Sequence, residues 1–305
     1  MAGRLLVLCP GQGAQHPAMF DMARSDPAAS RELEAWLADP ALAPLSGGAS
    51  LFANQLAQPA IVAATLAMWT ALRATIPAPA LVAGYSIGEL AAYGVAGALA
   101  PLDLVRIAAE RARLMDACVD VRAAQGMVAL SGMPNDAIAA LLARFGFYPA
   151  IVTGEDALVA GGPAAAREAL ADAALAAGGR ATVLPVEVAS HTPLLQAAVS
   201  PFAELLARQA WSAPAFPVLS GISAEKVEDA GLATRVLSRQ IAEPIRWMDC
   251  MDACVETGIT VALELGPGAA LARMLQARHP RIACRSVTEF RSLDGIRFWI
   301  GRQLE

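Results

Sequence analysis

The sequence predicts an α/β protein, a parallel sheet wrapped by helices and interrupted by a smaller inserted domain. Three observations predict it. Short apolar runs closed by glycine or proline turns alternate with longer helical stretches from Leu5 to Val119, the pattern of a parallel sheet with crossover helices. Residues 125–189 then read strand, helix, strand, strand, helix, strand, the split ferredoxin-like βαββαβ unit. Strand-like runs return at Val218-Leu219 and from Val261 to Leu265. The large domain is therefore expected over 1–124 and 190–305, and the small domain over 125–189.

Each element has a local reason. Leu5 to Cys9 is an apolar run closed by Pro10-Gly11, a buried strand followed by a tight loop. A helix is expected from Gln58-Pro59 to about Arg73, because proline suits the first turn, where its missing N–H costs nothing. Pro77 and Pro79 end that region, and Leu81-Val82-Ala83 make a second buried strand. One helix opens at or just after Gly88. Another follows Pro101, with Asp103 near its start, and runs to about Val119. In the insert, Met127 to Leu130 is a strand and Asn135 to Phe145 a helix. Ala150 to Thr153 and Ala157 to Ala160 are strands around a Gly-Glu-Asp turn, Ala164 to Ala177 is a helix, and Thr182 to Val188 the last strand. The run from Val261 enters Gly266-Pro267-Gly268, another glycine turn at a strand end.

Composition bounds the function. The chain of 305 residues is 56% hydrophobic and 17% charged, which excludes disorder and fits a packed enzyme. A net charge of -5 argues against a nucleic-acid partner. The longest apolar stretch, Pro59 to Leu72, reads as too short for a membrane span, and Met1-Ala2-Gly3-Arg4 has no signal-peptide layout. The five cysteines are scattered, and Cys250 and Cys254 have no nearby Cys or His to complete a metal site. The expectation is a cytoplasmic protein with reduced thiols and no metal.

Gly84-Tyr85-Ser86-Ile87-Gly88, between a buried strand and a helix, is a nucleophile-elbow arrangement. Its glycines permit a sharp turn that exposes the Ser86 hydroxyl, and the helix aims free N–H groups at the same point. An ordinary strand-to-helix turn would fit the pattern as well. A serine nucleophile needs a base, and the chain has three histidines, His16, His191 and His279. His279, in Arg278-His279-Pro280, reads as an exposed helix end, and His16 as a loop residue. His191 lies between a strand end and the helix start at Thr192-Pro193, so it is the favoured base; alone, it would read as a capping or core histidine. A long stretch follows His191 and no acid is placed to orient it, unlike an ordinary α/β-hydrolase triad.

On a helical wheel of Leu104 to Val119, Leu104, Ile107, Ala108, Met115 and Cys118 share one face, while Arg106, Glu110 and Arg113 lie opposite. Arg111 falls within the apolar face. A buried guanidinium needs an anion or several acceptors. Two readings stand: a structural arginine paired with a core carboxylate such as Glu89, or a fork gripping a substrate carboxylate. The loop Pro10-Gly11-Gln12-Gly13-Ala14-Gln15 can cradle a phosphate or supply a second oxyanion donor, and its residues leave that choice open.

Taken together, Gly11-Gln12-Gly13-Ala14-Gln15, Gln58-Pro59, Gly84-Tyr85-Ser86-Ile87-Gly88-Glu89, Arg111, Ser190-His191, Gln240 and Glu264-Leu265-Gly266-Pro267-Gly268 closely resemble the malonyl-CoA:acyl-carrier-protein transacylases in order and spacing. The resemblance covers essentially the whole chain. It implies an α/β-hydrolase-like large domain carrying the ferredoxin-like insert, and a serine acyltransferase with no cofactor of its own. Ser86 would be the acyl-accepting nucleophile and His191 its base, oriented by the backbone carbonyl of Gln240. Backbone N–H groups of Gln12 and Ile87 would form the oxyanion hole. Arg111 would bind the free carboxylate of a malonyl group, with Gln12 and Gln58 also in the substrate site. Tyr85 stands where the family usually has histidine, and Val152-Thr153-Gly154-Glu155-Asp156 lacks a usual asparagine. With the ending Phe290 to Gly295, these differences resemble the transacylase (epsilon) subunit of malonate decarboxylase, whose partner is a carrier protein bearing a CoA-like prosthetic thiol. The transacylase of fatty-acid or polyketide synthesis is the alternative within the family. A serine esterase or patatin-like acylhydrolase, and a non-catalytic CoA- or carrier-binding subunit, are the rivals outside it.

Overall fold

Five consecutive apolar residues, all buried, make β1 (Leu5–Cys9), a central strand of the larger sheet. The computed structural model describes residues 3–43, 50–120 and 122–305. Met1 and Ala2, read above as a start without a leader, lie outside those residues. After β1 come α1 (Asp21–Arg24), α2 (Pro27–Leu37), α3 (Asn54–Leu72), β2 (Leu81–Gly84), α4 (Ile87–Val95) and α5 (Pro101–Asp116). The insert follows as β3 (Gln125–Ser131), α6 (Asn135–Phe145), β4 (Tyr148–Gly154), β5 (Ala157–Pro163), α7 (Arg167–Ala176) and β6 (Arg180–Leu184). The remainder is α8 (Gln196–Ala207), β7 (Val218–Leu219), β8 (Lys226–Val227), α9 (Ala230–Gln240), β9 (Ile245–Arg246), α10 (Trp247–Glu256), β10 (Val261–Glu264), α11 (Ala270–Arg278), β11 (Ala283–Ser286) and α12 (Leu293–Leu304).

The larger sheet has the order β11-β10-β1-β2-β7-β8 and is parallel except for the β7–β8 pair. From β1 the chain steps to β2 and β7 on one side, and later to β10 and β11 on the other. Such a reversal opens a crevice at the carboxyl ends of the strands, where ligands of open α/β sheets bind. Register places Cys9 beside Gly84, and Leu8 beside Glu264. The loop after Cys9, the elbow after Gly84 and Gly266-Pro267-Gly268 therefore emerge along one edge.

Strand alternation divides the core. Leu5, Val7, Cys9 and Val82 face α3, α4 and α5, whereas Leu6, Leu8, Leu81 and Ala83 face Trp247, Cys250, Leu271 and Leu275. The second cluster also takes in Met127, Ala150 and Ile151, so one face of the small sheet packs on the large one. The other face, with Val128, Leu130 and Ala160, covers itself with Ile138 and Leu142 of α6 and Leu170 and Ala174 of α7.

The structure moves several expected boundaries. α3 begins at Asn54, so Pro59 lies inside the helix and not in its first turn. At 19 residues α3 is long and apolar enough to cross a membrane, which corrects the expectation that this stretch is too short. Its residues from Leu56 to Leu72 are all buried against neighbouring helices, as in a core helix. The last strand of the insert stops at Leu184, not Val188, and the helix after Pro101 stops at Asp116, before Val119. β9, from beyond the insert, pairs parallel with β4 and extends the small sheet to the order β6-β3-β5-β4-β9.

Candidate active site

The elbow is built by backbone crowding. A Cβ on Gly84 would collide with the backbone of Gly88 and Glu89, and one on Gly88 with the carbonyls of Cys9 and Pro10. Only glycine admits so close an approach of β1, β2 and α4. Ser86 caps α4 with φ 56° and ψ -117°, a conformation costing roughly 1–3 kcal/mol that the packed turn enforces. The Ile87 N–H, as the first of α4, has no intrahelical acceptor and lies at the positive end of the helix, directly after Ser86.

Ser86 Oγ lies 2.7 Å from His191 Nε2, across 105 residues of sequence. His191 is fully buried at φ 63°, held by a hydrogen bond from its backbone N–H to the Ile241 carbonyl at 2.8 Å. Its Nδ1 lies 2.5 Å from the Gln240 carbonyl oxygen. A carbonyl only accepts, so the neutral ring carries its proton on Nδ1 and leaves Nε2 free to accept from Ser86. Burial, reinforced by the positive charge of Arg111, pushes the imidazole down to about 3, against the opposing Gln240 hydrogen bond. The ring is therefore an unprotonated acceptor across the neutral range.

Arg111 is 2% exposed, as the wheel indicates, and no carboxylate of the described residues lies within 4.0 Å of it. Its Nη1 donates to Gln58 Oε1 at 2.7 Å and its Nη2 to Gln240 Oε1 at 3.1 Å. Gln58 is held in turn, its Nε2 donating to Asn54 Oδ1 at 2.7 Å, while Asn54 Nδ2 donates to Asp116 Oδ1 at 2.7 Å. The extra turn at the start of α3 puts Asn54 and Gln58 at i and i+4, on one face toward α5. Both acceptors of Arg111 are neutral amides, so among the described residues no anion is bonded to it, although the charge of Glu89 behind Gln240 still acts on it. Burial pushes it down to about 10, which leaves the guanidinium charged at neutral pH.

Glu89 was one expected partner of Arg111, but the structure puts the Gln240 carboxamide between them. Gln240 Nε2 donates to Glu89 Oε2 at 2.5 Å and to the Ser86 carbonyl at 3.3 Å. Gln12 is exposed on the loop after β1. Tyr85 packs edge-on against Trp247, ring centroids 5.2 Å apart, and burial raises its hydroxyl above the ordinary value. His16 is exposed, with no side-chain hydrogen bond among the described residues. His279 ends α11, as its sequence neighbours suggest, but is half-buried and bonded to Asp252 at 2.8 Å rather than exposed. Among the described residues no cluster of His, Cys, Asp and Glu has metal-binding geometry, and all five cysteines are free thiols.

The arrangement comprises a hydroxyl, an acceptor for its proton, the N-terminus of a helix directly after it, and a buried cation joined to them through Gln240. Sequence reasoning missed the side-chain roles of Gln240 and Asn54, since nothing local distinguishes them from other amides.

Known proteins resemble this chain over nearly its whole length. The acyl transferase domain family model matches residues 7–287. The malonyl CoA-acyl carrier protein transacylase of Mycobacterium tuberculosis is 32% identical over 299 residues, covering 95% of this chain and 98% of the relative. The structure of the malonyl CoA-acyl carrier protein transacylase from Coxiella burnetii superposes with a TM-score of 0.90 at 27% identity, covering 100% of this chain and 99% of that one. A malonyl-transacylase solved in complex with a type II polyketide-synthase acyl-carrier protein superposes with a TM-score of 0.87 at 27% identity, over 95% of this chain and 98% of that one.

Proposed function

We propose that this chain, which belongs to the acyl transferase domain family and is an acyltransferase, moves a malonyl group from malonyl-CoA to the thiol of an acyl carrier protein through a malonyl-serine intermediate. The observation that carries the proposal is Arg111, a buried guanidinium held by two neutral amides and joined through Gln240 to the serine–histidine pair. A carboxylate on the acyl group would complete it. An acetyl group would leave it buried without an anion, so the site favours dicarboxylic acyl groups.

The cycle has two half-reactions. His191 Nε2 takes the Ser86 proton as the hydroxyl oxygen attacks the thioester carbonyl. The resulting oxyanion is held by the N–H groups of Ile87 and Gln12, worth several kcal/mol. Collapse breaks the carbon–sulfur bond, and the imidazolium returns its proton to the departing CoA thiolate. The carrier thiol then attacks the malonyl-serine, with His191 again the base, and Ser86 leaves as its hydroxyl. The Gln240 carbonyl steadies the imidazolium in both halves without becoming protonated itself. The relatives named above support a carrier protein as acceptor.

Mass spectrometry of the intact protein after brief exposure to malonyl-CoA tests this directly. The wild type should gain one malonyl group and Ser86→Ala none; a malonylated Ser86→Ala protein refutes the scheme. Rapid hydrolysis of simple esters without a carrier would favour an esterase, and absence of any acyl-enzyme a non-catalytic subunit. A narrower reading, the transacylase subunit of malonate decarboxylase, is favoured by Tyr85 before the nucleophile. Offering the malonylated enzyme a carrier with the ordinary phosphopantetheine arm and one with a CoA-like prosthetic group separates the two pathways by which carrier gains mass.

A further inference from the structure

Gln240 serves both halves of the site. Its backbone oxygen accepts from His191 Nδ1, and its side-chain oxygen accepts from Arg111 Nη2. A carboxamide can turn over, exchanging its oxygen and its NH2, with almost no change in shape. Turned over, Gln240 would aim N–H groups at the guanidinium, donor against donor, and Arg111 would lose an acceptor. Two acceptors of the Gln240 NH2, the Ser86 carbonyl and a carboxylate, oppose that turn.

The carboxylate, the closer of the two at 2.5 Å against 3.3 Å, is Glu89. It is fully buried on the first turn of α4, and its Oε2 accepts from Gln240 Nε2 at 2.5 Å and from the Gly221 N–H at 2.9 Å. A Cβ on residue 221 would stand 2.8 Å from that oxygen, so the missing side chain lets the backbone N–H reach it. The other oxygen, Oε1, has no partner among the described residues. Burial pushes the carboxyl up to about 7, against hydrogen bonds from Gly221 and Gln240 and the charge of Arg111. Both donors point at Oε2, so a proton on the carboxyl resides on Oε1, and Oε2 accepts in either state.

We infer that Glu89 is the positioning residue that sets acyl selectivity, by fixing the Gln240 carboxamide with its oxygen toward Arg111. The inference rests on reading Arg111 as the seat of the acyl carboxylate. A neutral amide between acid and base has a physical purpose. A carboxylate bonded directly to Arg111 would cancel the charge and compete with the substrate for the same donors. Through Gln240 the acid transmits an orientation and leaves the charge available.

The test is a set of rates for malonyl-CoA and acetyl-CoA with the wild type, Glu89→Leu, Glu89→Gln, Gln240→Ala, and Glu89→Leu combined with Gln240→Ala. Glu89→Leu should lower the malonyl-to-acetyl ratio of kcat/KM about tenfold, chiefly through a higher KM for malonyl-CoA. Glu89→Gln keeps an acceptor and should stay within about threefold of wild type. Beside Gln240→Ala, Glu89→Leu should cause no further loss of selectivity, because the relay is already cut. Losses that multiply in the double variant, or a Glu89→Gln as unselective as Glu89→Leu, overturn the relay alone. A wild type indifferent between malonyl and acetyl overturns the Arg111 reading and the relay with it. Should Glu89→Leu fail to fold, Glu89→Asp withdraws the acceptor while keeping the charge, and is held to the same outcomes.

Discussion

Replacing Arg111 with alanine should separate the acyl binding proposed for this residue from the chemistry at Ser86. The wild-type guanidinium is 2% exposed and, among the described residues, bonded only to the oxygens of Gln58 and Gln240, so a malonyl carboxylate would meet a desolvated charge with no anion bonded to it. Two charge-assisted hydrogen bonds in such a setting contribute about 3–4 kcal/mol to binding and positioning. At 1.36 kcal/mol per tenfold, kcat/KM for malonyl-CoA should fall roughly 10²- to 10³-fold. The rate with acetyl-CoA should hold or rise, since the variant no longer buries a cation without an anion. Initial rates of CoA release with each donor, at saturating carrier, measure the ratio, and intact mass confirms that Ser86 still acylates. A ratio within threefold of the wild-type value would refute the reasoning. Gln58 and Gln240 each lose a donor in the variant, at about 1–3 kcal/mol of stability apiece, so a denaturation midpoint accompanies the kinetics.

Four further outcomes follow from the geometry. The imidazole of His191 is pushed down to about 3, so kcat/KM should show no acid limb near pH 6.5. In stability the same group binds fewer protons folded than unfolded. Its contribution is complete above about pH 6.5, the ordinary histidine value, and is lost as pH falls toward about 3, which urea midpoints against pH in wild type and His191→Ala measure. Gly88→Ala would drive a Cβ into the Cys9 and Pro10 carbonyls and should cost more than about 3 kcal/mol of stability or prevent soluble expression. Asn54→Ala removes the anchor behind Gln58 and should lower the malonyl-to-acetyl ratio severalfold, about 1 kcal/mol, with little change in acetyl transfer.

Much of this was legible because it is written over short distances. β1 and β2 are runs of apolar residues with turn signals at their ends, and the nucleophile elbow is a strand, a glycine-flanked serine and a helix within a few residues. The place of Arg111 inside an apolar face needed only the helical period. The boundaries that shifted lie where local preference meets packing. Proline favours a first turn, yet α3 starts before Pro59 and brings Asn54 and Gln58 together behind Arg111. The final strand of the insert ends at Leu184 because that is where its pairing with β3 ends.

Sequence alone, then, determined which residues carry reactive or charged groups, and that strands, helices and an elbow surround them. The tertiary structure decided what each group meets. Ser86 and His191 lie 105 residues apart, and Gln240 joins His191, Arg111 and Glu89 from a third part of the chain. Whether Arg111 is cancelled by Glu89 or kept free by an intervening amide depends on how α3, α4, α5 and the end of α9 pack. Helical and strand periods specify which face of an element is buried; the partner across that face is set by long-range packing.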